Sequence, residues 1–278
     1  MKTRLYLLTL LFILGLFSFS STFAQVKPLE SQEEGIVYLD VTFLADLDQT
    51  EQSYVVRLPN GFEPDREYDI VVVLHGLGGD RFDIIVGQNC ARALRDVADE
   101  RNLIVVSPDY RARDSWMSPA AEADLLQILR DVKKEYKVKR TFWNGTSMGG
   151  TSVLAFAVLH PELVDGVMSN IGQANFLEFK NFRENIERVF GGNKQEAFDV
   201  YKSRSAEYFP ERLTMPLALY VGMHDETVPP HSVLRLNDVL KEMGKTDLLM
   251  MVNPDVGHLQ TYEDTKRGLE FIIDAAKK

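Results

Sequence analysis

Residues 145–150 read Gly-Thr-Ser-Met-Gly-Gly and stand between two different kinds of predicted secondary structure. Thr141 to Asn144 predicts a strand that ends just before this run, and Met148 to Leu159 predicts a helix that begins just after the serine. Glycines two residues before and two after a serine permit the strained turn that exposes its hydroxyl. Gly-x-Ser-x-Gly is common by chance, but this position favours an exposed nucleophile, Ser147, over a plain glycine-rich turn.

A serine hydroxyl is a weak nucleophile until a base takes its proton, and the chain offers five histidines for that role. His258 lies in a loop after the predicted strand Leu248 to Asn253 and before the last predicted helix. That position suits the base when nucleophile, acid and base follow in this order along the chain. His160 precedes a proline at a helix end, which is typical of a cap or surface residue.

The acid that orients such a histidine is expected at the end of a neighbouring strand. Leu217 to Gly222 predicts that strand, and a loop with two adjacent carboxylates, Asp225 and Glu226, follows it. We choose Asp225 as the candidate acid. Glu226 is its rival, and a turn-forming or helix-capping residue is the alternative role for an aspartate in a loop.

A second glycine-rich loop, His75 to Gly79, directly follows the predicted strand Ile70 to Leu74. Glycines there let the backbone approach a substrate, so we expect the amides of Leu77 and Met148 to bind a developing oxyanion. A phosphate-binding loop is excluded, because no Gly-Lys-Ser/Thr follows and the glycines do not match G-x-G-x-x-G. His75 is interpreted as a structural residue of the loop rather than a catalytic one.

Short apolar runs alternate with helical stretches from residue 70 onward, which is typical of strands buried on both faces of a parallel sheet. Ser118 to Tyr136 is the clearest helix, with a capping serine, a proline in the first turn and one apolar stripe. The predicted strands are Ile36 to Phe43, Ser53 to Leu58, Ile70 to Leu74, Leu103 to Ser107, Thr141 to Asn144, Val164 to Ile171, Leu217 to Gly222 and Leu248 to Asn253.

The segment 172–213 interrupts this alternation and is rich in aromatic residues. We expect a helical insertion. Its aromatic side chains either pack on the body of the domain or form a cap that also lines a substrate pocket, with Phe176 and Phe179 as the candidate contacts. The loop after the fourth strand supplies three more candidates, Arg111, Arg113 and Trp116, for a carboxylate or a ring; a solvated loop with one packed indole is the alternative.

Residues 1–24 have the features of a signal peptide, with Lys2 and Arg4 before a short apolar run and small residues around Ala24. An uncleaved anchor is the alternative. We therefore expect a secreted or periplasmic protein of one domain, residues 25–278, with no membrane association after cleavage. The net charge of −10 argues against nucleic acid as a partner. The sequence contains one cysteine and no H-E-x-x-H pattern, so no metal site is expected.

Together, the loop at His75, the run 145–150, the loop from Gly222 to Pro229 and the Gly257-His258 pair resemble the α/β-hydrolase family. The resemblance is to its small secreted esterase and prolyl-oligopeptidase-like branches. It implies a mostly parallel, eight-stranded sheet with helices on both faces, a catalytic triad of Ser147, Asp225 and His258, and no metal or organic cofactor. The absence of a His-Gly-Gly-Gly run leaves the second oxyanion donor open.

These features predict a serine hydrolase that cleaves a small-molecule or polymer-linked carboxylic ester through an acyl-enzyme. A prolyl-oligopeptidase-like peptidase is the alternative, and the roughly 45 residues before the hydrolase core, too few for a propeller, favour the ester. A non-catalytic binding protein on the same fold is a third candidate, against which the presence of all three triad residues argues.

Overall fold

The computed structural model describes residues 25–31, 33–111 and 113–276. The predicted signal peptide, residues 1–24, lies outside the described residues. Nine strands form one sheet: β1 Gln25–Leu29, β2 Val37–Leu44, β3 Glu51–Leu58, β4 Tyr68–Leu74, β5 Ile104–Pro108, β6 Val138–Thr146, β7 Gly166–Asn170, β8 Leu217–Gly222 and β9 Leu248–Asn253. Eight α-helices connect them within the described residues: α1 Asp83–Val86, α2 Cys90–Arg101, α3 Pro119–Glu135, α4 Met148–Leu159, α5 Arg183–Phe190, α6 Phe198–Ser203, α7 His231–Glu242 and α8 Tyr262–Ala275.

The strand order is β1-β2-β3-β5-β4-β6-β7-β8-β9. Strands β1, β2 and β3 pair antiparallel, β3 joins β5 antiparallel, and every pair from β5 through β9 is parallel. Because parallel strands end at the same edge, the loops after β4, β6, β7, β8 and β9 meet there. This is the α/β-hydrolase fold that the sequence resemblance implied.

The expected count of eight strands is wrong by one, because Gln25–Leu29 adds a strand at the antiparallel edge. This segment is short and partly exposed, and it contains Pro28. Proline is tolerated at a sheet edge, where its missing N–H removes no ladder hydrogen bond, but it weakens the sequence signal for a strand. The eight predicted strands all occur in the structure within a few residues of their expected bounds.

Two hydrophobic layers cover the sheet. The larger one contains the apolar stripe of α3 together with α4 and α7, and the smaller one contains α2 and α8. Neighbouring residues of one strand face opposite layers: Trp143 belongs to the larger and Phe142 to the smaller. No helix among the described residues is long and apolar enough to cross a membrane.

The insertion 172–213 consists of the helices α5 and α6 and two short 3₁₀ turns, Ala206–Tyr208 and Pro210–Arg212. Its aromatic rings mostly point inward. Trp116 is fully buried and lies 5.2 to 6.5 Å, between ring centroids, from the three aromatic rings on which it packs: Phe176, Phe179 and Phe182. Packing on the body of the domain therefore accounts for most of the aromatic residues that distinguish this segment.

Arg204, at the end of α6, ties the insertion to α3. Its guanidinium is buried, donates to the carbonyl oxygen of Met117 and forms an ion pair with Glu122. Burial raises the pKa of Glu122, but the hydrogen bond with His160 and the charge of Arg204 outweigh burial, so this pKa lies below its usual value. The ionised Glu122 therefore stabilises the folded state.

We expect Glu122→Gln to lower the free energy of unfolding at pH 7 by about 1 to 3 kcal/mol, because Arg204 would lose its buried counter-charge. A carboxyl whose pKa is lowered on folding stabilises the protein above its unfolded pKa, and this contribution disappears as pH falls through the folded pKa. The difference between the variant and the unmodified protein should therefore shrink below about pH 4. Urea unfolding at several pH values measures it.

Glu162→Gln is the matched control, because Glu162 lies 3.8 Å from the other ring nitrogen of His160 and is largely exposed. It should change the free energy of unfolding by less than about 0.5 kcal/mol. Equal losses in the two variants would show that the ion pair with Arg204 does not stabilise the insertion.

Candidate active site

Ser147 lies at a sharp turn between β6 and α4 and has backbone angles of φ 58° and ψ −116°. Its amide donates to the carbonyl oxygen of Asn170 at 2.9 Å, which holds the turn against β7. The hydroxyl does not cap the helix. This backbone strain, at a non-glycine residue, leaves the Oγ atom free to face the loops at the edge of the sheet.

The glycines around Ser147 are required by close backbone contacts. A Cβ atom on Gly145 would lie 2.2 Å from the carbonyl oxygen of Gly149, and one on Gly149 would lie 2.0 Å from that of Leu74. A Cβ atom on Gly150 would lie 2.4 Å from the carbonyl oxygen of Asn170. The turn therefore packs directly on β4 and β7, at distances that no side chain permits.

Gly149→Ala is expected to lower the free energy of unfolding by more than about 2 kcal/mol, because the new methyl group would overlap rigid strand backbone. Gly76→Ala serves as the control, since its methyl group would meet the carbonyl oxygen of Thr146 at 3.4 Å, close to an ordinary contact. Thermal unfolding of both variants tests this. A stable Gly149→Ala protein would contradict the described packing of the turn.

His258 connects Ser147 to Asp225. Its Nε2 atom lies 2.8 Å from Ser147 Oγ, and its Nδ1 atom lies 2.7 Å from Asp225 Oδ2. A carboxylate accepts hydrogen bonds, so Nδ1–H donates to Asp225, and Nε2 is left to accept the serine proton. The structure therefore brings together the three residues predicted from separate loops.

Asp225 is held by the backbone of its own loop. Its Oδ1 atom accepts from the amides of Thr227 at 2.9 Å and Val228 at 2.8 Å, while Oδ2 faces the histidine. The side chain is buried, whereas Glu226 is exposed and makes no side-chain hydrogen bond to the described residues. The geometry thus favours Asp225 over its neighbour as the partner of His258.

The loop after β4 lies against the serine turn. A Cβ atom on Gly76 would lie 3.4 Å from the carbonyl oxygen of Thr146 and 3.7 Å from the Cβ atom of Ser147, so the two backbones are close together. Among the described residues, the amides of Leu77 and Met148 donate to no acceptor, whereas the next amide, of Gly78, donates to the carbonyl oxygen of Arg113. Two unpaired amides beside a serine hydroxyl are suited to stabilise a negatively charged oxygen.

The residues predicted to contact the substrate differ in their exposure to solvent. The side chain of Arg113 is 72% exposed and stands beside the His75 loop. Phe179 is 8% exposed and reaches a surface pocket, whereas Phe176 is 1% exposed and packs on Phe190. Trp116 has no exposed surface, so the structure gives its predicted substrate contact no support.

His75 has the structural role expected from the sequence. Its Nδ1 atom lies 2.8 Å from the carbonyl oxygen of Gly76, and its Nε2 atom lies 3.2 Å from that of Asp109. Tyr110 donates to the backbone oxygen of the same histidine. These bonds fix the loop that carries the Leu77 amide.

Sequence reasoning missed two residues that support the turn. Asn170 accepts from the Ser147 amide, and its side chain donates to Asn144 Oδ1 and to the carbonyl oxygen of Gly145. Gln260 donates to Thr146 Oγ1 at 2.9 Å from the loop of His258. A polar side chain at the end of a buried strand was the available signal for Asn170; Gln260 had none.

No group of three or more histidine, cysteine or carboxylate side chains suited to a metal ion occurs in the described part of the chain.

A strained serine at a strand-to-helix turn, a histidine and a buried aspartate on one sheet edge define the class of α/β-hydrolase proteins. Residues 121–276, more than half of the chain, match the model of the prolyl oligopeptidase family. The chain belongs to that family and is a serine hydrolase.

Solved structures with the same fold include esterases and a peptidase. An acetyl xylan esterase from Paenibacillus sp. R4 has a TM-score of 0.70 and 16% identity over 95% of this chain and 93% of its own. An S-formylglutathione hydrolase from Agrobacterium tumefaciens has a TM-score of 0.69 and 13% identity over 91% of this chain and 99% of its own. A proposed dipeptidyl aminopeptidase IV from Bacteroides ovatus has a TM-score of 0.66 and 16% identity, and the match spans 92% of this chain but 35% of that protein.

Proposed function

We propose that this protein hydrolyses carboxylic esters through an acyl-enzyme formed on Ser147. The hydrogen-bonded series from Asp225 through His258 to Ser147, with contacts of 2.7 and 2.8 Å, carries the proposal. A serine alone does not attack an ester at a useful rate, and this arrangement supplies both the base and the group that orients it. The esterases of similar fold agree with this choice of substrate.

In the first half of the reaction, Ser147 Oγ attacks the ester carbonyl carbon while its proton passes to His258 Nε2. Asp225 stabilises the imidazolium that forms. The carbonyl oxygen becomes negatively charged, and the unpaired amides of Leu77 and Met148 are the proposed donors to it. The tetrahedral intermediate collapses, the alcohol leaves with the proton from His258, and the acyl group remains on the serine.

In the second half, water attacks the acyl-enzyme and gives its proton to the same histidine nitrogen. Collapse of the second intermediate breaks the acyl–oxygen bond to Ser147, and the serine recovers its proton. The reaction consumes one water molecule and releases a carboxylic acid and an alcohol. The proposed residues thus complete the cycle with protein groups alone.

Peptide hydrolysis is the second candidate, and family membership is the observation that favours it. Both reactions use the same nucleophile and the same intermediate. They differ in the leaving group, since an amine must be protonated before it leaves. Purified protein should therefore be compared on p-nitrophenyl acetate and on aminoacyl or dipeptidyl p-nitroanilides.

We expect kcat/KM on the ester to exceed that on every anilide by at least about a hundredfold. A higher kcat/KM on a dipeptidyl anilide would reject the esterase proposal in favour of the peptidase. Absence of any hydrolysis would reject both.

The proposal also covers the residues that contact the substrate and the location of the protein. Arg113, exposed beside the His75 loop, is proposed to contact the substrate, as is Phe179 in its surface pocket.

The features of residues 1–24 support export from the cytoplasm as a cleaved, secreted or periplasmic protein. Mass spectrometry of the exported protein would reveal a mature chain that starts at Gln25.

A further inference from the structure

The loop between β9 and α8, residues 254–261, carries His258 and has no regular secondary structure. The side chain of His258 is 25% exposed, and its hydrogen bonds to the described residues go to the other members of the proposed triad, Asp225 and Ser147. A general base must lie within about 3.2 Å of the atom whose proton it takes. Contacts elsewhere in the loop are therefore needed to keep the imidazole in place.

The loops of Asp225 and His258 are joined directly to each other. They follow β8 and β9, which are neighbouring, paired strands. The amide of His224 donates to the carbonyl oxygen of Val256 at 2.9 Å, and the contact of 2.7 Å between His258 Nδ1 and Asp225 Oδ2 adds a second link. The proposed acid and base are thus held together as one unit.

Two hydrogen bonds among the described residues join this unit to the turn of Ser147. One is the contact of 2.8 Å between His258 Nε2 and Ser147 Oγ. The other comes from Gln260, whose Nε2 atom donates to Oγ1 of Thr146, the residue before Ser147, at 2.9 Å. The side chain of Gln260 is buried and makes no other hydrogen bond to the described residues, so this bond alone fixes its amide.

Both ends of the bond between Gln260 and Thr146 are held by their surroundings. Thr146 is the last residue of β6 and pairs with Asn170 in β7. The carbonyl oxygen of Gln260 accepts from Asn89 Nδ2 at 3.3 Å, which fixes the backbone on the opposite side of the loop. The bond therefore sets the distance between the loop of His258 and a strand end that the sheet holds rigid.

The two links to the serine turn behave differently during the proposed reaction. The contact of His258 with Ser147 depends on the serine proton, because Nε2 accepts from the hydroxyl. Once Ser147 carries the acyl group, its Oγ atom has no proton to donate, and this hydrogen bond is lost. His258 must nevertheless stay in place to take a proton from water. In the acyl-enzyme, the bond from Gln260 to Thr146 is the link that remains.

We propose that Gln260 is a positioning residue for the second half of the reaction, in which its bond to Thr146 holds His258 beside the acyl group while water attacks. The inference rests on the proposed ester hydrolysis. The water oxygen bonds to the acyl carbon, and its proton passes to His258 Nε2. The bond from the acyl carbon to Ser147 Oγ then breaks, and the proton returns to Oγ. A displacement of the base by about 1 Å can slow such steps about a hundredfold.

Gln260→Met tests the proposal, because it nearly keeps the length of the side chain and removes the donor. With p-nitrophenyl acetate, we expect the rate constant of deacylation to fall about tenfold or more. The value of kcat/KM, which reports acylation, should change by less than about threefold, since His258 still bonds to Ser147 in the free enzyme. Stopped-flow absorbance should therefore show a burst of about one p-nitrophenolate per chain and a slow steady state, with kcat and KM lowered together.

Thr146→Val removes the same hydrogen bond from its other end and should give the same slow deacylation. The double variant should deacylate within about twofold of the slower single variant, because one interaction is lost in all three proteins. Deacylation in Thr146→Ser, which keeps a hydroxyl, should be at least about fivefold faster than in Thr146→Val. Since the two partners lie on different elements, the test remains decisive if one variant does not fold.

Gln127→Met is the matched control. Gln127 is a buried amide on α3, and its Nε2 atom donates to the carbonyl oxygen of Leu44 at 2.9 Å. The same substitution there removes a hydrogen bond far along the chain from the proposed triad. It should leave the ratio of the deacylation and acylation rate constants unchanged.

Three results would overturn the inference. They are an unchanged kcat in Gln260→Met, equal losses of kcat and kcat/KM in that variant, and independent, multiplying losses in the double variant. Equal losses would indicate a structural role alone. Failure of the proposed function is distinguishable, because the unmodified protein would then not hydrolyse p-nitrophenyl acetate. Hydrolysis by the unmodified protein with normal deacylation in Gln260→Met would reject the positioning role and leave the proposed function standing.

Discussion

Replacing Ser147 by alanine is expected to lower kcat on p-nitrophenyl acetate by about 10⁴ to 10⁶ while the protein remains folded. The loss is large because the hydroxyl forms the covalent bond to the acyl group, and no other described hydroxyl lies within hydrogen-bond distance of His258 Nε2. Removing one oxygen atom at a partly exposed position leaves the surrounding backbone contacts intact. Initial rates and circular dichroism of the same preparation measure both quantities.

Ser152→Ala is the control for this substitution. Ser152 lies on the same helix, is fully buried, and its Oγ atom has no hydrogen-bond partner among the described residues. It should retain activity within about threefold. Activity of Ser147→Ala within a factor of ten of the unmodified protein would contradict the assigned nucleophile.

The second large effect is expected for Asp225→Asn, which should lower kcat by about 10³ to 10⁴. The carboxylate of Asp225 accepts from His258 Nδ1–H, whereas an asparagine amide can donate to that nitrogen. The ring proton would then lie on Nε2, the wrong nitrogen for a base, and the charge that stabilises the imidazolium would be lost. The two backbone amides that bind Oδ1 would keep the loop in place. Initial rates at several substrate concentrations separate kcat from KM.

Asp255→Asn provides a matched control, because Asp255 is an exposed carboxylate in the loop that carries His258. We expect its activity to stay within about threefold. An active Asp225→Asn together with an inactive Glu226→Gln would assign the acid to the neighbouring residue.

The sequence predicted the parallel part of the sheet well, because its strands are apolar on both faces and stand apart from the helices around them. Ile104–Pro108 and Leu217–Gly222 are fully buried runs of this kind. Gln25–Leu29 escaped prediction because an edge strand has one partner and needs little apolar surface. Local sequence carries information about burial, and an exposed edge strand is formed mainly by pairing with its neighbour.

In the candidate site, too, local sequence patterns predict some residues, and contacts with distant residues determine others. The position of Ser147 at a strained turn could be predicted, because such a turn demands glycines within two residues of the serine. The close backbone contacts at Gly145 and Gly149 explain this demand. The burial of Trp116 could not be predicted, because an indole in a loop is equally compatible with a substrate contact and with packing in the core. Its burial results from contacts with Phe176 and Phe179, which lie 60 or more positions away in the sequence. Gln260 was not singled out, since its hydrogen bond to Thr146 Oγ1 joins two loops 114 residues apart, which no local pattern specifies.

Covalent labelling tests the central claim most directly. The purified protein is incubated with a fluorophosphonate, which reacts with a serine that an adjacent histidine activates, and the modified peptide is identified by mass spectrometry. We predict one adduct per chain, located on Ser147, with hydrolysis of p-nitrophenyl acetate lost in proportion to labelling. An adduct on another serine, or full activity in a protein labelled at Ser147, would contradict the account.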